Sequence, residues 1–284
     1  MRVLAIQGSP HRGNTFRRVE RFGRVLEDLG GVEFEHLALK DVDLEPCRGC
    51  FLCFQRGEEK CPIRDDKQVI ERKIEDADAV VFATPVYSMT VSTLLKRFVD
   101  RFAYVFHRPR YFGKYAVGLA VAGAVGLKET LRYIEMFAGS WGFEYVGSLR
   151  YVDPPVGTGF PHTAPKNDPT EETVRGLHSR LTSRPPRRVS MQDCLQFHCM
   201  RAVYSRMEPF SPTDFAYWKE RGWLEAGARY FTPDARGSRI KSLVPRVVAW
   251  MIGRGFDREI ARWRASKRDR PTQAGETAGG EEHG

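Results

Sequence analysis

Apolar and polar positions change in regular blocks over the first half of the chain. The run RVLAIQ (2–7) is short and apolar and ends at Gly8, which predicts a buried strand followed by a tight turn. From about Phe16 to Leu29, apolar residues recur at helical spacing (Val19, Phe22, Leu26, Leu29) and stop at Gly30 and Gly31. VEFEHLAL (32–39) alternates as a strand near a sheet edge does, and ADAVVFATP (77–85) is a continuous apolar strand. Residues 90–106 read as an amphipathic helix, 115–123 as a fourth strand, 128–142 as a helix and 143–152 as a fifth strand.

Strands that alternate with helices predict an α/β fold, a doubly wound parallel sheet covered by helices on both faces. Five strands favour the flavodoxin-like order 2-1-3-4-5 over a six-stranded dinucleotide fold. The pattern changes after residue 152. Residues 153–169 are rich in Pro and Gly and read as a linker or surface loop. Asp168, Pro169 and Glu171 open a helix, residues 187–207 form another, and 211–222 a third, capped by Ser211 and stopped at Gly222. Residues 238–268 are a basic, Trp-containing helical region, and the polar tail is expected to be disordered. The expected organisation is a flavodoxin-like domain (1–152), a linker with a basic helical C-terminal extension (153–270) and a disordered tail (271–284).

Composition narrows the class. At 42% hydrophobic and 29% charged residues in 284, the composition is ordinary for a soluble globular protein. The apolar run in MRVLAIQGSP is too short for a signal peptide, and no stretch approaches a membrane span, so a cytoplasmic, reducing setting is expected. Charge is uneven: residues 175–270 hold 21 Lys and Arg against 9 Asp and Glu, a net +12 in a chain of net +9, which leaves −3 for the rest. Attraction to nucleic acid or anionic lipid is one reading of that excess. A helix carrying Trp250 and Trp263 with basic residues on one face more often packs on its own protein or on a second subunit, and an oligomer contact is the expected use.

Two loops carry candidate binding chemistry. Gly8, Ser9, Gly13, Asn14 and Thr15 follow the first strand, at the carboxyl edge where ligands bind in such sheets. Backbone N–H groups, two hydroxyls and the following helix N-terminus suit a phosphate, although a plain turn with an N-cap fits equally. The loop is neither a Walker loop nor a GxGxxG fingerprint. Thr84, Pro85, Val86, Tyr87 and Ser88, after the third strand, face it across the switch-point crevice; Tyr87 read alone is more often structural than ligand-stacking. Together the loops describe a place for a phosphorylated planar cofactor, which favours FMN, and Gly123 in AGAVG (122–126) closes the far side of the ring.

Four of the six cysteines, Cys47, Cys50, Cys53 and Cys61, fall in CRGCFLCFQRGEEKC, with spacing C-x2-C-x2-C-x7-C. In a reducing compartment such thiols are metal ligands or redox groups before they are disulfides. Three thiols at two-residue gaps with a fourth further on follow the ligation logic of ferredoxins. Structural zinc usually takes two separated Cys-x2-Cys knuckles, and a segment holding no metal is the remaining reading. The segment from Lys40 to Arg64 is longer than an ordinary connection and follows strand 2, which places it on the carboxyl edge near the crevice. Cys194 and Cys199 suit packing, and His162, His178 and His198 are given no role.

GSPHRGNT, TPVYSMTVSTLLKRFVDR and CRGCFLCFQRGEEKCPIRDD resemble, in order and spacing, the NADPH-dependent FMN reductase-like group of the flavodoxin superfamily, particularly its iron-sulfur flavoproteins. The resemblance covers residues 1 to about 150 well, and PFSPTDFAYWKERGWLEAGARYF more loosely looks like an extension found in some flavodoxin-family oxidoreductases. It implies FMN held by the first loop, His11 and Arg12 included, with His11 standing where members often carry arginine. A [4Fe-4S] cluster on the four cysteines is also implied, and with it an oxidoreductase moving electrons between NAD(P)H or a ferredoxin-type donor and a small acceptor. A cluster-free NAD(P)H-dependent FMN or quinone reductase is the alternative within the class. A zinc-containing nucleic-acid or membrane-surface binding protein is the alternative outside it. The flavin would do the chemistry, so no catalytic acid or base is named.

Overall fold

The computed structural model describes residues 1–153, 168–232 and 243–268. The elements run β1 (Arg2–Gln7), α1 (Asn14–Asp28), β2 (Glu33–Ala38), α2 (Leu52–Gln55), α3 (Lys67–Asp76), β3 (Ala79–Tyr87), β4 (Thr90–Val91), α4 (Thr93–Arg101), α5 (Ala103–His107), β5 (Tyr115–Ala122), α6 (Leu127–Ser140), β6 (Glu144–Val152), α7 (Thr170–Ser183), α8 (Met191–Tyr204), α9 (Pro212–Glu220) and α10 (Leu243–Arg268). Five parallel strands lie in the order β2-β1-β3-β5-β6, and the two-residue β4 pairs off this path, antiparallel to β3. The expected 2-1-3-4-5 order is therefore present, with one small strand added.

Alternation along the strands sends side chains to two cores. Leu4, Ile6, Val80, Phe82, Ala116 and Ala120 meet α3, α4, α5 and α6 on one face. Val3, Ala5, Val81, Val117, Leu119 and Leu149 meet α1 and α7 on the other. Val174, Leu177 and Leu181 of α7 are buried there, so the helical layer on that face draws on residues beyond 152. A third core joins Phe197, Tyr204, Trp218, Trp223 and Phe231 of the C-terminal extension, with Phe112 packed against it.

Two expectations change in detail. Residues 90–106 are not one helix: Thr90 and Val91 close a hairpin on β3, Ser92 then caps α4 by accepting the Leu95 N–H at 3.3 Å, and the helix breaks at Phe102 before α5. The apolar spacing of a helix continues through that stretch, which hides both ends. Ser211 sits at the N-cap of α9, yet its hydroxyl points to Phe54 and Asp214 instead of capping the helix.

The linker and tail readings fall outside the described residues apart from Asp153, Asp168 and Pro169, as do His162 and the start of the basic region at 238–242. Within α10, Val244, Val247, Trp250 and Met251 are exposed, and the Trp263 side chain lies outside the described residues. Among the described residues no helix is long and apolar enough to cross a membrane.

Candidate functional site

Register brings three loops together. Gln7 at the end of β1 lies opposite Ala83, and Thr84 and Pro85 lie opposite Ala120 and Val121 of β5, so the segments after β1, β3 and β5 emerge side by side at the carboxyl edge. Gly8 fixes the first: its N–H donates to the Ala83 carbonyl at 2.8 Å, and its carbonyl accepts the Ser92 hydroxyl. A Cβ there would stand 2.7 Å from both Leu95 Cβ and Ser92 Oγ, so only glycine lets this turn lie against the start of α4.

Ser9 is buried, and its hydroxyl donates to the His11 carbonyl at 2.9 Å while taking the His11 N–H at 3.3 Å. His11 and Arg12 are exposed, with the Arg12 guanidinium 5.4 Å from the Phe16 ring centroid. Gly13 precedes α1 with no side-chain cap and open space where a Cβ would stand, and no acid stands in the first turn. That leaves the positive end of the helix dipole facing the crevice. Asn14 is turned aside, donating to the Asp153 carbonyl at 3.3 Å, and Thr15 is buried.

The second loop is a hairpin. Val86 pairs with Val91 and Tyr87 with Thr90, and the two turn residues, Ser88 (φ 48°) and Met89 (φ 69°), are both left-handed. That is the backbone a two-residue hairpin wants, held here without glycine or asparagine at a cost on the order of 1 kcal/mol per residue. Thr84 is buried and serves the hairpin's base: its hydroxyl takes the Ser92 N–H at 3.0 Å and donates to the Pro85 carbonyl at 2.8 Å. Tyr87 and Met89 stand 44% and 48% exposed at the tip. Gly123 is exposed on the third loop, where Gly126 (φ 91°) packs so close to the hairpin that a Cβ would lie 2.8 Å from Val86 Cγ1.

The four clustered cysteines surround one cavity of about 330 Å³, whose other walls include Phe51, Ile63, Lys67, Arg101 and Tyr104. No disulfide joins any of the six cysteines. Among the described residues, no three His, Cys, Asp or Glu side chains converge on a single-ion site. Burial pushes the Cys53 thiol up to about 11. Burial acts on Cys61 in the same direction, but the Ile63 N–H and the Arg101 hydrogen bond and charge outweigh it and bring that thiol below its ordinary value. The segment leaves β2 beside the end of β1, where Ala38 lies opposite Gln7, but its cavity sits further off. The cavity is walled by Asp100 and Arg101 at the C-terminal end of α4, whereas Gly8 and the hairpin pack at the N-terminal end, about 13 Å away along the helix axis.

Ion pairs inside the protein hold this segment. Arg101 donates to Cys61 Sγ at 3.3 Å and binds both oxygens of buried Asp65, at 3.1 and 2.8 Å. Arg108, 1% exposed, donates to the Cys53 carbonyl at 2.9 Å and to Glu58 at 2.7 Å, and also pairs with Asp214. Arg110 joins Glu58 to Glu71. Sequence reasoning did not single out these residues. The one local signal is the density of arginines in DRFAYVFHRPR (100–110), where the intervening aromatic residues are core-like.

Residues 1–150, which contain all three loops and all four clustered cysteines, match the model of the NADPH-dependent FMN reductase family. The chain belongs to that family. As a family member it is an FMN-dependent oxidoreductase. Curated relatives extend the likeness. The chain is 28% identical to an iron-sulfur flavoprotein of Archaeoglobus fulgidus over 79% of its own length and 100% of the relative's. It is 39% identical to an iron-sulfur flavoprotein of Methanocaldococcus jannaschii over 48% of its length and 71% of the relative's. Among solved structures, RosB with bound 8-demethyl-8-formylriboflavin-5'-phosphate shares the fold, with a TM-score of 0.51, 16% identity, and coverage of 86% of this chain and 97% of that one.

Proposed function

We propose that this member of the family is an iron-sulfur flavoenzyme. FMN sits in the crevice between the loops after β1, β3 and β5, and Cys47, Cys50, Cys53 and Cys61 hold a [4Fe-4S] cluster. The enzyme carries electrons between NAD(P)H or a ferredoxin-type donor and a small acceptor. The observation that carries the reading is the meeting of all four thiols on one cavity of about 330 Å³. A single zinc ion needs four thiolates within about 2.3 Å of one point. A cubane gives each cysteine an iron of its own, so the four sulfurs stand around a volume. The names borne by the relatives point the same way.

Each part of the chain then has a physical task. The first-turn N–H groups of α1 and the Ser9–Thr15 turn receive the FMN phosphate, helped by the nearby Arg12 charge. The hairpin from Pro85 to Ser88 gives the ring a wall, and the Gly123 loop stands opposite it. Bound FMN supplies acceptance of a hydride and exchange of single electrons. Arg101, Arg108 and Lys67 offset the negative charge that four thiolates bring to a partly buried cavity.

Flavin, iron, acid-labile sulfide and zinc, measured on one anaerobically purified sample, test the reading. About four iron and four sulfide per FMN are expected. FMN without iron would leave a cluster-free reductase, and zinc in place of iron would overturn the assignment of the cysteines.

A further inference from the structure

Chain distance separates the cysteine segment from the C-terminal extension, but one buried network joins them. Asp214, in the first turn of α9, has no solvent exposure. Its carboxylate accepts from Arg108 and from His107 Nδ1 at 2.7 Å, and lies 2.6 Å from the Ser211 hydroxyl. Each of these partners reaches the segment. Arg108 donates to the Cys53 carbonyl and to Glu58. The Ser211 oxygen is 2.9 Å from the Phe54 carbonyl, across 157 positions of sequence. The His107 ring stacks on Phe54 with centroids 4.2 Å apart. α2, which carries Cys53, is only four residues long, too short to hold its own shape.

We propose that Asp214 is a positioning residue for the cysteine site, and that the C-terminal extension, acting through Arg108, Ser211 and His107, keeps α2 where Cys53 faces its three companion thiols. The inference rests on the cluster reading above and adds that loading depends on a residue outside the matched family region. Asp214 touches no cysteine. It neutralises a buried guanidinium, and without that pairing Arg108 is left with Glu58 alone while the hold on the Cys53 and Phe54 carbonyls loosens.

The test compares wild type, Asp214→Asn, Asp214→Ala and Arg206→Ala. Arg206 pairs with Asp257 elsewhere in the same extension, so its loss controls for general loosening. In the reconstituted holoprotein, iron loss to a ferrous chelator is expected to be about 10- to 100-fold faster in Asp214→Ala, with a smaller change in Asp214→Asn. FMN content should stay at the wild-type level, and Arg206→Ala should release iron as wild type does. In the metal-free chains, amide exchange over 52–55 should rise in both Asp214 variants and not in Arg206→Ala. If Asp214→Ala does not fold, as absence of FMN would reveal, Asp214→Asn decides. Wild-type iron release and wild-type exchange in the Asp214 variants would overturn the proposal. A wild type that takes up no iron would instead sink the cluster reading, while the exchange data still decide whether Asp214 holds α2.

Discussion

Gly13→Asp is expected to keep the fold and lose FMN, with affinity down by about 100-fold, or about 3 kcal/mol. The position separates the two effects. Gly13 has nothing within 4 Å of where a Cβ would go, but its φ of −99° and ψ of −143° lie outside the extended region that other residues favour, so any side chain there carries a backbone cost, one that Asp and Asn share. Both side chains are better N-caps than glycine by a few tenths of a kcal/mol, and α1 has no side-chain cap of its own, which offsets part of that cost and should leave the Asp and Asn variants melting close together. Yet the new carboxylate would occupy the end of the helix dipole proposed for the FMN phosphate, placing like charges together in a partly screened crevice. Gly13→Asn supplies the cap without the charge and should bind FMN far better than Gly13→Asp. Flavin-fluorescence titration of the flavin-free proteins, with melting curves alongside, reads both quantities. Equal affinities for the two variants would remove the phosphate from this loop.

Cys53→Ser is expected to lose most of the bound iron and keep its FMN. Cys53 is held on two sides: its thiol is half-buried and pushed up to about 11 by burial, and its carbonyl accepts from Arg108. Metal binding takes the place of the thiol proton, and serine offers no comparable soft ligand in its stead. The crevice contributes no residue to the cavity and lies at the other end of α4, so the flavin should be spared. Cys199→Ser, in α8 of the extension, should retain both cofactors. Iron and FMN analysis of the two variants checks the contrast, and iron retained at the wild-type level by Cys53→Ser would contradict it.

Much of the fold was legible because it depends on local periodicity. The apolar runs of β1, β3 and β5 and the alternation of β2 follow directly from burial on two faces or one, and the α/β succession then restricts the strand order to very few choices. The cysteine segment was legible because its chemistry is written in spacing. What escaped has a common cause. β4 is two residues long and continues the helical spacing of the stretch that follows, so nothing local marks it. Arg101 with Asp65, and Arg108 with Asp214, are partners 36 and 106 positions apart, and no periodicity links residues that only the folded chain brings together. The placement of the cysteines at the far end of α4 was hidden for the same reason: a strand's position in the sheet fixes where a loop begins, not where a long loop comes to rest. Asn14 shows a subtler limit, since it occupies a loop position suited to a ligand while its amide is committed to Asp153.

The most direct measurement compares FMN with riboflavin on the flavin-free protein. Three adjoining loops that receive a ring and its phosphate together should bind FMN at one per chain and riboflavin about 100-fold more weakly, the difference reporting the phosphate's contacts at the start of α1. Equal binding of the two flavins, or no binding of either, would contradict the crevice as the seat of the cofactor.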